Sequence, residues 1–391
     1  MYAISFEGGG ARGAYHIGAY KAILEAGLEV STIVGTSVGS LNAALIAQGD
    51  MHIAEETWKD ISYSKIFEMN DKVAYALLHD ERNLKTITRD LSVVYDVLKK
   101  GGLDIDPFKK MLDKYVDEEK IRNSDIRLGI VTYDLSDRKP LELFIEDIPQ
   151  GRLNEFLLAS CYLPVFKMEP LSGKYYLDGG FYENIPFSIL KNYEHDIIVV
   201  RTVAEKAPKE IQKSERTTVI RPYQNTFSIM DFTKENAELG LNAGYYDAKR
   251  VFEGKLGNYF YFDIFSETDA LDFFIQSDEK MKELCDYFDL KLISHRQFLN
   301  ECLEKLCELL DINKKSDFRE ILINAMEKRA KLMDIERFKF YKLEEMLGLL
   351  ENSIGDNYEK NPIVNIIPAL ANTPLNRAGQ LQKALDIVFK K

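Results

Sequence analysis

The chain has 391 residues, 46% hydrophobic and 11% aromatic, enough to fill the cores of two or three domains. Its 51 Lys and Arg against 63 Asp and Glu give a net charge of −12 with no basic block, which argues against nucleic acid as a partner and against adsorption to an anionic membrane. Four cysteines without CxxC spacing argue against a disulfide framework or a zinc site, and with no signal-peptide pattern and no long apolar run they predict a cytoplasmic chain, neither secreted nor membrane-spanning, whose contact with lipid would be local and transient.

In chain order, residues 2–6 (YAISF) read as a buried strand, 11–26 as a helix, 32–34 as a second strand and 38–48 as a second helix. This β-α-β-α start predicts parallel α/β architecture. Ala14, Ile17, Gly18 and Leu24 recur at helical spacing, and the small ones would let the first helix approach a sheet closely. Residues 52–120 lack strand signals and carry apolar groups such as Val73, Leu77 and Ile87, Leu91, Val94, so an inserted helical cap is expected. Strand patterns resume at 126–133, 141–145, 196–203 and 217–220; DIIVVRTV at 196–203 is nearly continuous in apolar residues, as in a strand buried on both faces. Residues 236–252 return to helix, and beyond about 266 the chain is helical and charge-rich, with Phe318, Ile321, Leu322, Ala325 and Met326 in one stripe. The predicted fold is a three-layer α/β sandwich over residues 1–265, a central mainly parallel sheet with helices on both faces, followed by a helical accessory region over 266–391. The apolar stretch at 361–375, NPIVNIIPALANTPL, reads as an ordered tail, with a lid or membrane-touching segment as the alternative.

FEGGGARG at residues 6–13 places four glycines between the first strand and the first helix. Unpaired amide groups at a helix N-terminus make an anion site, either for a phosphate or for an oxyanion that exists only during reaction. The second strand runs into Gly35, Thr36, Ser37, Val38 and Gly39, a GxSxG in which flanking glycines permit the sharp turn that lifts a serine hydroxyl out of the sheet edge. Both turns should open on the same edge of a parallel sheet, where ligands of such folds sit. A nucleophilic serine needs a base, yet none of His16, His52, His79, His195 and His295 has a supporting motif, and His195 is expected on the opposite sheet edge. The remaining candidate is Asp178 in YYLDGGFYENIP, downstream of LASCYLPVFKMEPL, whose small residues and prolines suit a chain passing under an active site. On its own, an aspartate followed by Gly179 and Gly180 could equally mark only a turn.

GGGxRG at 8–13, GxSxG at 35–39 and DGG at 178–180, in that order, resemble the patatin-like phospholipases, and the resemblance extends to residues 159–166 and to GYYDAKR at 244–250. It implies a catalytic dyad of Ser37 and Asp178 without histidine, an oxyanion hole built by Gly8, Gly9, Gly10, Ala11, Arg12 and Gly13, and a serine acyl hydrolase acting on phospholipid or other acyl esters in lipid catabolism or remodelling. In chemical terms Asp178 takes the proton of Ser37, the serine attacks an ester carbonyl, loop amides receive the oxyanion, and water releases the acyl group, with no metal or cofactor. Three rivals differ in what they require. A dinucleotide fold also fits Gly8, Gly10 and Gly13 but wants an acid at the end of the second strand. A Ser-His-Asp α/β-hydrolase needs His195 or His295. A lipid-binding or regulatory module with a vestigial site would have little use for an intact serine and aspartate.

Overall fold

The computed structural model describes residues 1–72, 74–75, 101–351 and 374–390. The chain divides into two compact units, Met1–Glu253 and Gly254–Lys391. Against an expected boundary near 265, residues 254–265 contribute Phe260, Phe262 and Phe265 to the core of the second unit.

In the first unit, β1 (Tyr2–Phe6), β2 (Val30–Thr36), β3 (Arg127–Asp134), β4 (Lys139–Phe144), β5 (Tyr176–Asp178), β6 (Asp196–Val200) and β7 (Thr217–Ile220) form a seven-stranded sheet. The order is β4-β3-β2-β1-β6-β7, with β5 paired to β3 off this path. Strands β1, β2, β3, β6 and β7 are parallel, while β4 and β5 run antiparallel to β3. Four of the five residues of β1 and of β6 are buried, as a strand covered on both faces requires, and each buried Ile, Val or Phe side chain among them contributes about 1.5–3 kcal/mol. Ala3, Val34, Ile197 and Val199 share one packing layer with Ile185, Leu190 and Ile211.

The helices of this unit include α1 (Ala14–Glu25), α2 (Val38–Ala47), α3 (Met51–Lys59), α4 (Asp106–Tyr115), α5 (Leu153–Ser160) and α6 (Lys234–Glu253). Gly18 serves the contact of α1 with α6 rather than an approach to the sheet: a Cβ there would lie 1.9 Å from the Leu241 carbonyl oxygen, and one on Gly244 would lie 2.0 Å from that of Tyr15. The pair is pinned by Tyr15 Oη donating to Asp247 at 2.8 Å and by Arg250 paired with the same buried carboxylate at 3.0 Å. The GYYDAKR stretch thus fixes the helix that carries the glycine loop at its start. Of the expected cap, α3, the turn Tyr63–Ile66, α4 and the short helix Glu118–Arg122 are described. Val73, Leu77, Ile87, Leu91, Val94 and His79 lie outside the described residues, as do residues 361–373.

The second unit contains α7 (Glu267–Ile275), α8 (Asp278–Tyr287), α9 (Leu303–Leu310), α10 (Phe318–Leu332), α11 (Leu343–Leu350) and α12 (Pro374–Val388), with a two-stranded parallel pair, β8 (Tyr261–Phe262) and β9 (Phe340–Tyr341). Ser266, Ser277 and Asp317 cap α7, α8 and α10 with side-chain oxygens. The stripe on α10 enters the core through Ile321, Leu322, Ala325 and Met326. Beside it Glu327 Oε1 accepts from the amides of Asn258, Tyr259 and Phe260 at 2.6, 2.8 and 3.0 Å. No described helix is long and apolar enough to cross a membrane.

Candidate active site

The pairing register along β3 brings the candidate residues together. Val131 pairs with Thr36, the last residue of β2, and the next residue, Thr132, pairs with Asp178, the last residue of β5. Strand β5 therefore occupies the place beside β3 where β2 ends, and Ser37 and Asp178 leave their strands side by side. Gly179 makes this possible, since a Cβ there would lie 2.2 Å from the Val131 carbonyl oxygen and 3.0 Å from Thr36 Cγ2.

Ser37 caps α2 with φ 55 and ψ −132, a left-handed conformation that a residue with a side chain adopts only when its surroundings impose it. The flanking glycines answer to the same turn: a Cβ on Gly35 would lie 2.1 Å from the Gly39 carbonyl carbon, and one on Gly39 would lie 2.4 Å from the Phe6 carbonyl oxygen. Ser160 locks the turn from below, its Oγ accepting from the Ser37 amide at 2.9 Å and donating to the Val131 carbonyl at 2.7 Å. Ser40 Oγ donates to the Ser37 carbonyl at 2.6 Å.

Asp178 is buried, and its amide donates to the Tyr162 carbonyl at 2.8 Å, so the 161–166 loop passes directly under it. Oδ1 accepts from the Gly180 amide at 2.8 Å. Oδ2 is buried without a hydrogen-bond partner of standard geometry. Burial pushes the carboxyl up to about 6, against the opposing pull of the Ser37 hydroxyl and the Gly180 amide. The serine hydroxyl thus lies close enough to act on the carboxylate without closing a tight hydrogen bond.

Around the glycine loop most amides are already used. Gly8 donates to the Asn184 carbonyl at 2.9 Å, Ala11 to that of Ile229 at 2.8 Å and Arg12 to that of Gly9 at 3.1 Å. The amides of Gly9 and Gly10 make no hydrogen bond to a described residue. These two donors are left for an anion, out of the six loop residues expected to build the hole. Arg12 holds the loop, its Nε donating to the Phe227 carbonyl at 3.0 Å. A network not anticipated from sequence fixes the other side of the loop. Buried Glu7 pairs with Arg201 at 2.8 Å and accepts from the Thr202 amide at 2.8 Å, while Thr202 Oγ1 donates to the Gly8 carbonyl at 3.1 Å.

None of the four described histidines hydrogen-bonds to Ser37 or Asp178. His16 is fully buried, stacked on Phe6 with centroids 4.6 Å apart, with Nδ1 3.2 Å from Asn42 Nδ2; burial pushes it down to about 3, so it stays neutral. His195 precedes β6, at the sheet edge opposite the one where Ser37 leaves β2. His295 is exposed beside Asp278 in the second unit. Among the described residues no group of three or more His, Cys, Asp or Glu is arranged to hold a metal ion.

A narrow cavity of about 70 Å³ opens at Ser37 and Gly10, and its walls include Leu41, Trp58, Phe108, Phe166, Met230 and Phe232. Buried Cys161 joins this wall, and burial raises its thiol far above the ordinary range, so it stays protonated. Its almost wholly apolar walls suit an alkyl chain better than a polar group.

Residues 4–191, which include both candidate catalytic side chains, match the family model described as patatin-like phospholipase. The chain is 24% identical over 196 residues to a patatin-like phospholipase domain-containing protein of Caenorhabditis elegans, covering 50% of this chain and 16% of that protein. It is 27% identical over 186 residues to the neuropathy target esterase sws of Drosophila melanogaster, covering 47% of this chain and 12% of that protein. The chain therefore spans well under a fifth of the length of either relative. Among solved structures, VipD from Legionella pneumophila aligns over 99% of this chain and 89% of its own with a TM-score of 0.41 and 13% identity.

Proposed function

Because residues 4–191 belong to the patatin-like phospholipase family, we propose that the protein is a serine acyl hydrolase acting on phospholipid or related lipid acyl esters through a Ser37–Asp178 dyad. The observation that carries this reading is the register of β3, whose successive residues Val131 and Thr132 anchor the residue before the serine and the aspartate itself. Asp178 Oδ2, buried and unpartnered, is the acceptor for the serine proton. The Ser37 oxygen attacks the acyl carbonyl, and the two free amides of Gly9 and Gly10 receive the developing oxyanion, charge that exists only in the transition state and the intermediate. Protonated Asp178 then gives its proton to the leaving alkoxide, leaving an acyl ester on Ser37. Water, deprotonated by the same carboxylate, repeats the sequence in reverse and frees the fatty acid. The acyl chain lies in the apolar cavity beside the serine. A carboxylate raised to about 6 is a stronger base than an ordinary aspartate and still ionised at neutral pH. The free, buried cysteines are in keeping with a cytoplasmic location.

Incubation with a total lipid extract, followed by lipid analysis, tests the reading. Wild type should release fatty acid and the corresponding deacylated lipid, while Ser37→Ala and Asp178→Asn release none. Labelling by a fluorophosphonate probe should disappear in Ser37→Ala. Turnover that survives in Ser37→Ala sinks the mechanism, and absence of turnover in wild type on every acyl ester leaves a lipid-binding module.

A further inference from the structure

Resting on the hydrolase reading above, we propose that Asn42 is a positioning residue that ties the acyl-chain cavity to the glycine loop, so that a chain packed against Trp58 steadies the amides that receive the oxyanion. Asn42 lies inside α2, fully buried, and is bonded both to Trp58 of α3 and to the end of the loop. The Trp58 indole Nε1 donates to Asn42 Oδ1 at 2.9 Å, and Asn42 Nδ2 donates to the Gly13 carbonyl at 2.8 Å. Nδ1 of His16, on a ring that burial keeps neutral, accepts from the same Nδ2 at 3.2 Å. An indole N–H can only donate and a backbone carbonyl can only accept, so the residue between them needs an acceptor and a donor on one rigid plane. Asparagine supplies both, and these two neighbours fix which way its amide points.

Both ends of this chain of bonds belong to the site. Trp58 walls the same cavity that opens at Ser37 and Gly10. Gly10 and Gly13 are the first and last residues of a single helical turn, so the Gly13 carbonyl is one turn from the Gly10 amide, which with that of Gly9 is free of described partners. There is no slack between them: a Cβ on Gly13 would lie 2.5 Å from Val38 Cγ2, 2.7 Å from Trp58 Cζ2 and 3.0 Å from Asn42 Nδ2. Groups packed this closely transmit a displacement rather than absorb it. Ser37, Val38, Leu41 and Leu45 all line the cavity, which therefore runs along α2 from the nucleophile. Asn42 stands five residues past Ser37, roughly 7 Å along the helix, beyond the reach of a butanoyl chain and within that of an octanoyl chain. A chain long enough to pack on the indole holds Trp58, Asn42 and the turn in place, so its added methylene groups act on the oxyanion donors and appear in kcat.

The test uses the full chain in two arms, the first of which needs no hydrolysis. In the Ser37→Ala background with isotope-labelled glycine, octanol should shift the emission of Trp58, the sole tryptophan, and move the amide resonances of Gly9, Gly10 and Gly13. Trp58→Phe keeps an aromatic wall and removes the N–H, while Asn42→Leu removes both amide functions; in either variant the glycine resonances should stay in place. In the second arm, kcat on p-nitrophenyl octanoate should exceed that on the butanoate by about tenfold in otherwise wild-type protein. Both variants should bring the two values within about twofold of each other, with KM for the octanoate little altered. Octanol that leaves Trp58 emission or the glycine resonances unmoved overturns the proposal. So does an equal loss on both esters, which marks a merely structural role, and so does chain-length discrimination that persists in Trp58→Phe, the variant that decides where Asn42→Leu fails to fold. A wild type that hydrolyses neither ester, while octanol still moves the glycine resonances through Trp58, refutes the hydrolase reading and leaves the coupling standing.

Discussion

The two units differ in where glycine permits close approach between elements. In Met1–Glu253, a Cβ on Gly18, Gly35, Gly39, Gly179 or Gly244 would fall within 2.4 Å of a backbone atom of another element or turn. In Gly254–Lys391, a Cβ added to Gly348 or Gly379 would have nothing within 4 Å, and Gly257, in the turn before β8, is the close approach of that unit. The first unit brings backbone against backbone to shape the turns that carry Ser37 and Asp178 and a pair of free amides. The second packs helices through aliphatic and aromatic side chains around Phe298, Leu306, Leu322 and Met326. Reactive geometry of this kind tolerates few residue types at a given position, whereas a helical core accepts many combinations of similar volume.

The sharpest way to break this contrast is at the dyad. Ser37→Ala and Asp178→Asn should each lower kcat/KM by about 10³-fold or more, and the double variant should lose little beyond the worse single one, because both groups serve one proton transfer. Measurement on a soluble ester keeps the physical state of a lipid substrate out of the comparison. Multiplicative losses would show that the two side chains act separately.

Next in size is Gly9→Ala. Its Cβ would lie 2.5 Å from Thr202 Oγ1 and 3.1 Å from Thr202 Cβ, so the loop must shift and carry the free amides with it. We expect kcat to fall by about 10²-fold with KM little altered, the signature of a lost oxyanion donor. A loss expressed mainly in KM would place the loop in ground-state binding instead.

Much of the first unit was legible because its constraints are local. The glycine loop, GxSxG and DGG are each read within a few residues, and the β-α-β-α opening follows from periodicity. What escaped reading is what depends on distant partners. Ser160 holds the Ser37 amide from 123 positions away, and Arg201 pairs with Glu7 across 194. Which loop amides stay free is decided by the carbonyls of Asn184 and Ile229, on loops far along the chain. Strand β5 is only three residues long, too short for a period to register, yet it places Asp178 beside Ser37. The second unit was legible as helices through its apolar stripes and mute about chemistry, since such stripes record packing alone.

A smaller effect separates the function of Asp178 from its cost. The carboxyl titrates at about 6 in the folded chain against an ordinary 3.8, so the folded state holds a proton that the unfolded state has already released between these values. Stability therefore falls as pH rises from about 4 to 6 and stays reduced above, by at most about 3 kcal/mol at ~1.4 kcal/mol per pH unit. Asp178→Asn removes the charged form, so the inactive variant should be more stable than wild type at pH 8 and close to it at pH 4 in denaturant melts. The activity of wild type should rise through about pH 6 as the base ionises. A variant less stable at pH 8 would mean that the carboxylate is better accommodated than its burial implies.

The smallest effect lies at the tolerant glycines of the second unit and carries the opposite sign. Gly348 sits within α11 and Gly379 within α12, and a Cβ at either meets open space. Alanine restricts the unfolded chain and suits a helix interior, so Gly348→Ala and Gly379→Ala should each stabilise by about 0.5–1 kcal/mol. Hydrolysis of a soluble ester by the assembled chain should stay at the wild-type level, since neither glycine shapes the dyad or the loop. The same substitution at Gly18, also inside a helix, meets the Leu241 carbonyl oxygen at 1.9 Å and should destabilise despite the gain in helix propensity. Paired melts of Gly18→Ala and Gly348→Ala thus hold intrinsic propensity constant and vary only the space around the new methyl group. Equal shifts of the same sign would mean that close backbone approach does not set the stability of the first unit.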